Sequence, residues 1–119
     1  MLSRGSEGGP VKKKSEFASG LILGLLIGEG HFGGDGRQAQ VTLRMHTRHE
    51  ALFNWLLGVV PGSRLYGPYH HGGREYFQWM VRGSALKQFL NRIDIPLLAQ
   101  IDPTTHARLQ KMRQNYNLD

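Results

Sequence analysis

The sequence predicts one α+β domain in which the element order α-ββ-α-ββ-α is followed by a further helix. Three observations support this prediction: a period-two alternation of polar and apolar residues over 38–46, two glycine-rich turns that each divide a pair of strands, and apolar residues at helical spacing around the two hairpins. A chain of 119 residues has room for one such domain and is too short for two. We therefore assign residues 15–119 to a single domain.

Residues 1–14 differ from the rest in composition. They combine glycines and Pro10 with Arg4 and the run Lys12 to Lys14, and they show no periodic apolar pattern. This composition predicts a flexible basic tail. The tail contributes to a formal net charge of +6 for the whole chain. Such a charge is compatible with binding to nucleic acid, although a solvated tail is the favoured interpretation of these lysines.

A helix is predicted from Phe17 to Ile27, with Ser15 as its N-terminal cap. Its unusual feature is a set of glycines four residues apart, which lie on one helix face and remove the side chains that would hold a second backbone away. The pattern predicts close packing against another helix; the alternative is a helix that packs only on its own sheet. The residues expected at the helix–helix contact are Gly20, Leu21, Gly24, Leu25 and Gly28.

Two hairpins are predicted around turns rich in residues that tolerate positive φ, at 33–36 and 70–73. In the strand after the first turn, polar side chains at every second position alternate with Ala39, Val41, Leu43 and Met45, as in a half-buried strand.

Helix starts are predicted at three further places. Thr47 with Glu50 forms a capping-box pattern, Ser84 is a candidate cap, and Asp102 is followed by Pro103 at the first helical position.

The polar faces of the predicted strands are the strongest sign of a binding function. They are rich in glutamine, arginine and histidine, and no lysine occurs between residues 37 and 82. Glutamine can pair with adenine and arginine with guanine in the major groove, which accepts a two-stranded ribbon. The alternative is a plain soluble face, which normally mixes glutamate and lysine with threonine. The candidate DNA-binding residues are Gln38, Gln40, Thr42, Arg44, His46, Arg64, Tyr66, His70, His71, Arg74, Tyr76, Gln78 and Arg82.

Other classes of site are disfavoured by composition. The chain has no cysteine, and its histidines lack partners at metal-site spacing, so we expect neither a disulfide framework nor a zinc site. The longest apolar stretch, Leu21 to Ile27, is too short for a membrane span, and no signal peptide is apparent. We therefore expect an intracellular, cytoplasmic protein with no membrane contact.

Residues 22–30 read Ile-Leu-Gly-Leu-Leu-Ile-Gly-Glu-Gly and are followed by His31 and Phe32. This segment, placed ahead of two hairpins separated by a helix, resembles the LAGLIDADG motif of homing endonucleases in its Gly-Glu-Gly variant. The resemblance covers roughly residues 15 to 100, and one motif in a short chain is similar to the single-motif, homodimeric branch. It implies a four-stranded antiparallel saddle sheet that lies in the major groove of double-stranded DNA.

The resemblance also implies a catalytic centre. In this family the acid that ends each motif helix sits near the dimer axis, a position that Glu29 occupies in this sequence, with Gly28 beside it as a second metal-site residue. Two such carboxylates would hold Mg²⁺ for phosphodiester hydrolysis. Arg44 and Gln78 are expected as neighbours of the central metals.

Two departures from the family pattern keep other functions open. Ile27 stands where an acid usually precedes the catalytic one, and no basic residue occurs around residues 97–100. These features favour a cleavage-deficient DNA-binding module or regulator as an alternative. An RNA-binding splicing helper and a basic structural protein, whose Gly-Glu-Gly only ends a helix, are the further alternatives.

Overall fold

Five helices and four strands make up the part of the chain that the computed structural model describes, which is the backbone of residues 10–118 and the side chains of residues 16–118. In chain order the elements are α1 (Pro10–Glu29), β1 (Gly30–Gly34), β2 (Ala39–His46), a 3-10 turn (Thr47–His49), α2 (Glu50–Val59), β3 (Arg64–His71), β4 (Arg74–Arg82), α3 (Gly83–Asn91), α4 (Ile95–Ile101) and α5 (Pro103–Asn115).

The strands form one antiparallel sheet in the order β1-β2-β4-β3, so the return strands of the two hairpins are neighbours at its centre. Within residues 10–118, the helices cover one face of this sheet and leave the other open. Helix α1 contacts β1 and β2, α3 contacts β2 and β4, α2 contacts β3, and α5 contacts β1. The opposite face carries the polar side chains. The predicted α+β class with two hairpins is therefore confirmed.

The core lies between the sheet and the helices. Trp79 on β4 is completely buried, and its ring meets Phe89 of α3 edge-on at a centroid distance of 5.8 Å. Phe77, two residues earlier on the same face of β4, meets Phe53 of α2 in the same way at 5.9 Å. Since each such aromatic side chain contributes roughly 1.5–3 kcal/mol by leaving water, these pairs hold the helices firmly against the sheet.

Several helix starts differ from the sequence predictions. Helix α1 begins at Pro10, ahead of the predicted start at Ser15, so residues 10–14 of the predicted tail are helical; proline suits the first helical turn and lysine is a good helix former. Residues 1–9 of that tail lie outside the described residues. The prediction that Ser84 caps α3 is also wrong, because the helix begins at Gly83 and Arg82 is its N-cap residue.

The predicted capping box at Thr47 is wrong for a specific reason. Residues Thr47–His49 form a 3-10 turn, and α2 begins only at Glu50. The imidazole of His46 accepts a hydrogen bond from the backbone N–H of Arg48 over 2.9 Å, and this bond caps the turn in place of the threonine hydroxyl. At the other end of the chain, Asp102 is the N-cap residue of α5, as predicted, while the short helix α4 is an addition to the predicted elements.

Candidate nucleic-acid interface

Side chains from all four strands share the face that the helices leave open. Directly opposite residues of antiparallel strands point to the same side of a sheet, so the register defines rows across the sheet. Arg44 lies opposite Gln78, which lies opposite Tyr66, while His46 lies opposite Tyr76. We call this surface the open face; its strand residues are His31, Gly33, Gln40, Thr42, Arg44, His46, Arg64, Tyr66, Tyr69, His71, Arg74, Tyr76, Gln78, Met80 and Arg82.

The open face is basic. Its four arginines, Arg44, Arg64, Arg74 and Arg82, are all exposed, and none of its strand residues is an aspartate or glutamate. Glu75 belongs to β4 but points to the other side, since it alternates with Tyr76. A surface that combines positive charge with aromatic and amide side chains offers contacts both to phosphates and to base edges.

Thr42 differs from the other predicted contact residues on β2. It occupies the middle of a row between His31 and Met80, and only 8% of its surface is exposed. Its neighbours therefore cover it, and Thr42 has little surface to offer a ligand. Met80, the partner of Thr42 in this row, is half-buried and was not among the predicted contact residues.

Strand β3 departs from simple alternation. A register shift between Tyr66 and Tyr69 inserts one extra residue into β3, so Tyr69 pairs with Tyr76 and His70 pairs with Glu75. His70, predicted in the turn at the hairpin tip, is therefore part of the strand and points away from the open face. Its place is taken by Tyr69, which is 42% exposed and whose ring lies 5.5 Å from that of Tyr76. His71, opposite Arg74, lies on the open face as predicted.

One direct side-chain hydrogen bond joins the two central strands across the open face. The Nε atom of Arg44 donates to Oε1 of Gln78 over 2.6 Å. The two residues are cross-strand partners, so the register itself brings them together. His46, in the next row, has a second role that was not predicted, because its Nδ1 accepts a hydrogen bond from the backbone of Arg48 while the side chain stays exposed.

The turn between β1 and β2 is held by two residues. The carboxylate of Asp35 accepts hydrogen bonds from the backbone N–H groups of Gln38 and Arg37 over 2.9 and 2.8 Å, and these bonds hold the pKa of Asp35 below its ordinary value. The hydroxyl of Tyr116, at the end of α5, accepts from the backbone N–H of Gly36 over 3.0 Å. Gln38 therefore belongs to this turn, one residue ahead of the strand in which it was predicted.

Helix α1 has one buried and one open side. Ile22, Leu23 and Leu26 are buried against the sheet, whereas Phe17 is 80% exposed and Leu21 is 50% exposed. Gly20, Gly24 and Gly28 lie on the open side, and a Cβ atom built on any of them would meet no other group within 4 Å.

The predicted contact residues of α1 thus lie on its open side, except Leu25. Leu25 is half-buried and packs partly against the core. The helix therefore presents an apolar surface on which no side chain covers the backbone at three glycines.

Glu29 ends helix α1 and is exposed. It continues the row of residues four apart that contains Phe17, Leu21 and Leu25, next to the glycine row. Since Gly30 pairs with Leu43, Glu29 also adjoins the part of the sheet where Arg44 follows Leu43. Glu29 therefore lies where the open side of α1 passes into the first strand of the sheet.

The arrangement of α1, the sheet and the outer helices is similar to that in a solved structure of a homing endonuclease. The homing endonuclease I-CvuI, crystallised in complex with its target Sro1.3 in the presence of Ca, superposes with a TM-score of 0.64 over 88% of this chain and 71% of that chain, at 13% sequence identity. This chain has a homing-endonuclease fold. The predicted fold class is confirmed, and the resemblance stated from the motif is supported at the level of the fold.

Comparisons of sequence give no further information about the homing-endonuclease fold of this chain. No family model matches the sequence, and no curated protein does. Within residues 10–118, no helix is long and apolar enough to cross a membrane. The same residues contain no cluster of three or more histidine, cysteine, aspartate or glutamate side chains around one point.

Four residues of the open face were not among the predicted DNA contacts: His31, Gly33, Tyr69 and Met80. His31 and Met80 follow strict alternation, with Phe32 and with Val81 respectively, so the pattern in the sequence was sufficient to find them. Tyr69 could not be found from alternation, because the register shift that turns it to the open face interrupts the period-two pattern.

Proposed function

We propose that this chain is a sequence-specific endonuclease for double-stranded DNA that acts as a homodimer and uses Glu29 with Mg²⁺ or another divalent cation. The observation that carries the proposal is the position of Glu29, which ends a helix with an uncovered face and directly precedes the first strand of a sheet whose open face is basic and free of carboxylates. A nuclease of this fold needs both surfaces: one to pair two subunits and one to hold DNA.

The open side of α1 supports the dimer. Exposed Phe17 and Leu21 favour burial, and the glycines allow a second backbone to approach closely. A twofold pairing of the two α1 helices through the residues Gly20, Leu21, Gly24, Leu25 and Gly28 would bring both copies of Glu29 to one end of the contact. It would also place two open faces side by side, which suits a long, roughly palindromic target.

The open face supports the DNA contact. Three of its arginines, Arg64, Arg74 and Arg82, would bind phosphates and displace counterions from the DNA, so the affinity should fall steeply with salt. Gln40, Tyr66, Tyr69, His71 and Tyr76 are placed among these arginines and would add contacts to base edges and sugars. The residues of the sequence-based set that remain in the proposal are Gln38, Gln40, Arg44, His46, Arg64, Tyr66, His71, Arg74, Tyr76, Gln78 and Arg82.

The residues at the end of α1 fit a hard divalent cation. Mg²⁺ binds oxygen ligands, and Glu29 offers carboxylate oxygens while the carbonyl of Gly28 belongs to the last helical turn, whose acceptors have no partner further along the helix. Each subunit would contribute this pair, so both copies are needed for a shared site. A cation held there supplies Lewis acidity, both to a water molecule and to the leaving oxygen of the phosphodiester. Glu29 would hold the ion and orient the water.

The test is cleavage of a randomised duplex library in the presence of Mg²⁺, with Glu29→Gln as the matched variant. Glutamine keeps the size of the side chain and removes its charge, so we expect the variant to dimerise and bind DNA but not to cut it. Products that share one roughly palindromic site, and that are absent with the variant, would establish the nuclease. If the wild type binds no duplex, the proposal fails.

A DNA-binding module without cleavage is the second candidate. Helix α4, Ile95–Ile101, carries no lysine or arginine that could assist at the cleavage centre, and Ile27 replaces the acid that the motif resemblance leads us to expect. For this candidate, the same library would yield a selectively bound site that stays intact with Mg²⁺.

A further inference from the structure

A hydrogen bond in the middle of the open face joins two side chains into one unit. Arg44 on β2 lies opposite Gln78 on β4, and its Nε donates to Gln78 Oε1 over 2.6 Å. Because an arginine Nε can only donate, the amide oxygen of Gln78 must face Arg44 and its Nε2 must point elsewhere. The orientation of the amide is therefore fixed by chemistry, and each side chain holds the other in place before a ligand arrives.

The unit presents more donors than acceptors to a ligand. The Nη1 and Nη2 groups of Arg44 and the Nε2 group of Gln78 remain available as donors, while one acceptor position of the Gln78 oxygen is engaged by Arg44. Glutamine needs both its oxygen and its nitrogen to pair with adenine, whereas guanine presents the acceptors O6 and N7 to the major groove. The hydrogen bond therefore shifts the preference of Gln78 away from adenine and towards guanine.

The surroundings of the unit do not restore the missing acceptors. Tyr66 is the third member of the row, Thr42 and Met80 lie in the row on one side, and His46 and Tyr76 lie in the row on the other. No carboxylate among the open-face strand residues is available to accept from the amino groups of adenine or cytosine. Donors to the major groove thus dominate this part of the surface.

We propose that Arg44 and Gln78 act together as a guanine-reading unit and specify a guanine at one position in each half of the target. The inference rests on the proposed function, because it requires the open face to lie in the major groove. It revises the expectation from sequence, in which glutamine and arginine read adenine and guanine independently.

The experiment is a binding selection from randomised duplexes without a divalent cation, so that no product is cut. The wild type should favour guanine at one symmetry-related position by about tenfold or more, the discrimination typical of a good base contact. Arg44→Gln should change the preferred base at that position to adenine, because two amides then offer both a donor and an acceptor. Gln78→Leu should retain guanine with a several-fold weaker preference, since Arg44 loses its partner.

Arg64→Gln is the matched control, because it removes the same charge from the same face but in the row of Met80. It should leave the preference at the guanine position unchanged. If the wild type selects a site but Arg44→Gln and Gln78→Leu affect different positions or none, the guanine-reading unit is overturned while DNA binding stands. If the wild type selects no duplex, the proposed function fails and the unit fails with it.

Discussion

The hydroxyl of Tyr116 accepts a hydrogen bond from the backbone N–H of Gly36 over 3.0 Å, and this bond ties the end of α5 to the turn between β1 and β2. The two residues are 80 positions apart in the chain. The turn carries Arg37 and Gln38, which directly precede the first residue of β2. The last helix of the chain therefore braces the outer edge of the proposed DNA-binding surface.

Tyr116→Phe should loosen this turn without disturbing the packing of the ring. The variant removes one hydrogen bond between exposed partners, so the free energy of unfolding should fall by about 0.5–1 kcal/mol. The measurement is urea unfolding together with hydrogen exchange of the Gly36 amide, which should lose protection. Unchanged exchange at Gly36 would show that the hydroxyl is not its partner in solution.

Gly34→Ala should destabilise the same region more strongly, because the space for a side chain is already occupied. A Cβ atom on Gly34 would clash with the ring and hydroxyl of Tyr116 and with the carbonyl oxygen of Gln38. Overpacking of this kind costs about 1–3 kcal/mol. Gly33→Ala is the matched control, since a Cβ there meets nothing within 4 Å and should change stability little. Equal unfolding midpoints for the two variants would contradict the close approach.

These long-range contacts mark the limit of what local sequence patterns predict. The alternation around Val41 and Leu43 was sufficient to define the buried and open faces of β2, because side-chain direction in a strand depends only on position along it. The proximity of Tyr116 to Gly34 depends on how α5 packs on β1, and no local pattern carries that information.

Within the candidate site, the features that the sequence did not predict have the same origin. His70 was predicted in the turn at the hairpin tip, but it pairs with Glu75 in the strand, and the register shift after Tyr66 turns it away from the open face. His46 was predicted on the polar face of β2, and its ring also caps the 3-10 turn that begins one residue later. The Arg44–Gln78 bond could be found only once β2 and β4, rather than the strands of one hairpin, were known to be neighbours.

Asp35 should make the β1–β2 turn sensitive to acid. Its folded-state pKa lies below the ordinary value of 3.8, chiefly because the backbone N–H groups of Gln38 and Arg37 stabilise the carboxylate. The stabilisation is therefore complete above that ordinary value and is lost as the pH falls through the lower, folded-state pKa. Amide signals of Arg37 and Gln38, followed by NMR during acid titration, should shift together in that window. Asp35→Asn should abolish this shared transition, and its persistence in the variant would assign it to another group.

Gly24→Leu should show whether α1 packs only on its own sheet or also pairs with the α1 helix of a second subunit. In the isolated chain the substitution meets open space and replaces a poor helix former, so helix stability should rise by roughly 0.5–1 kcal/mol. At a close helix–helix contact the same side chain would hold the two backbones apart, so the dimer should dissociate at protein concentrations where the wild type remains associated. Gly58→Leu on α2 is the matched control, because Gly58 is also an exposed helical glycine with nothing within 4 Å of its Cβ position. Sedimentation of the wild type and both variants is the measurement. Loss of the dimer with Gly24→Leu alone would place the contact on α1. Identical profiles would rule out the pairing of α1 helices and, with it, a site shared by the two Glu29 carboxylates.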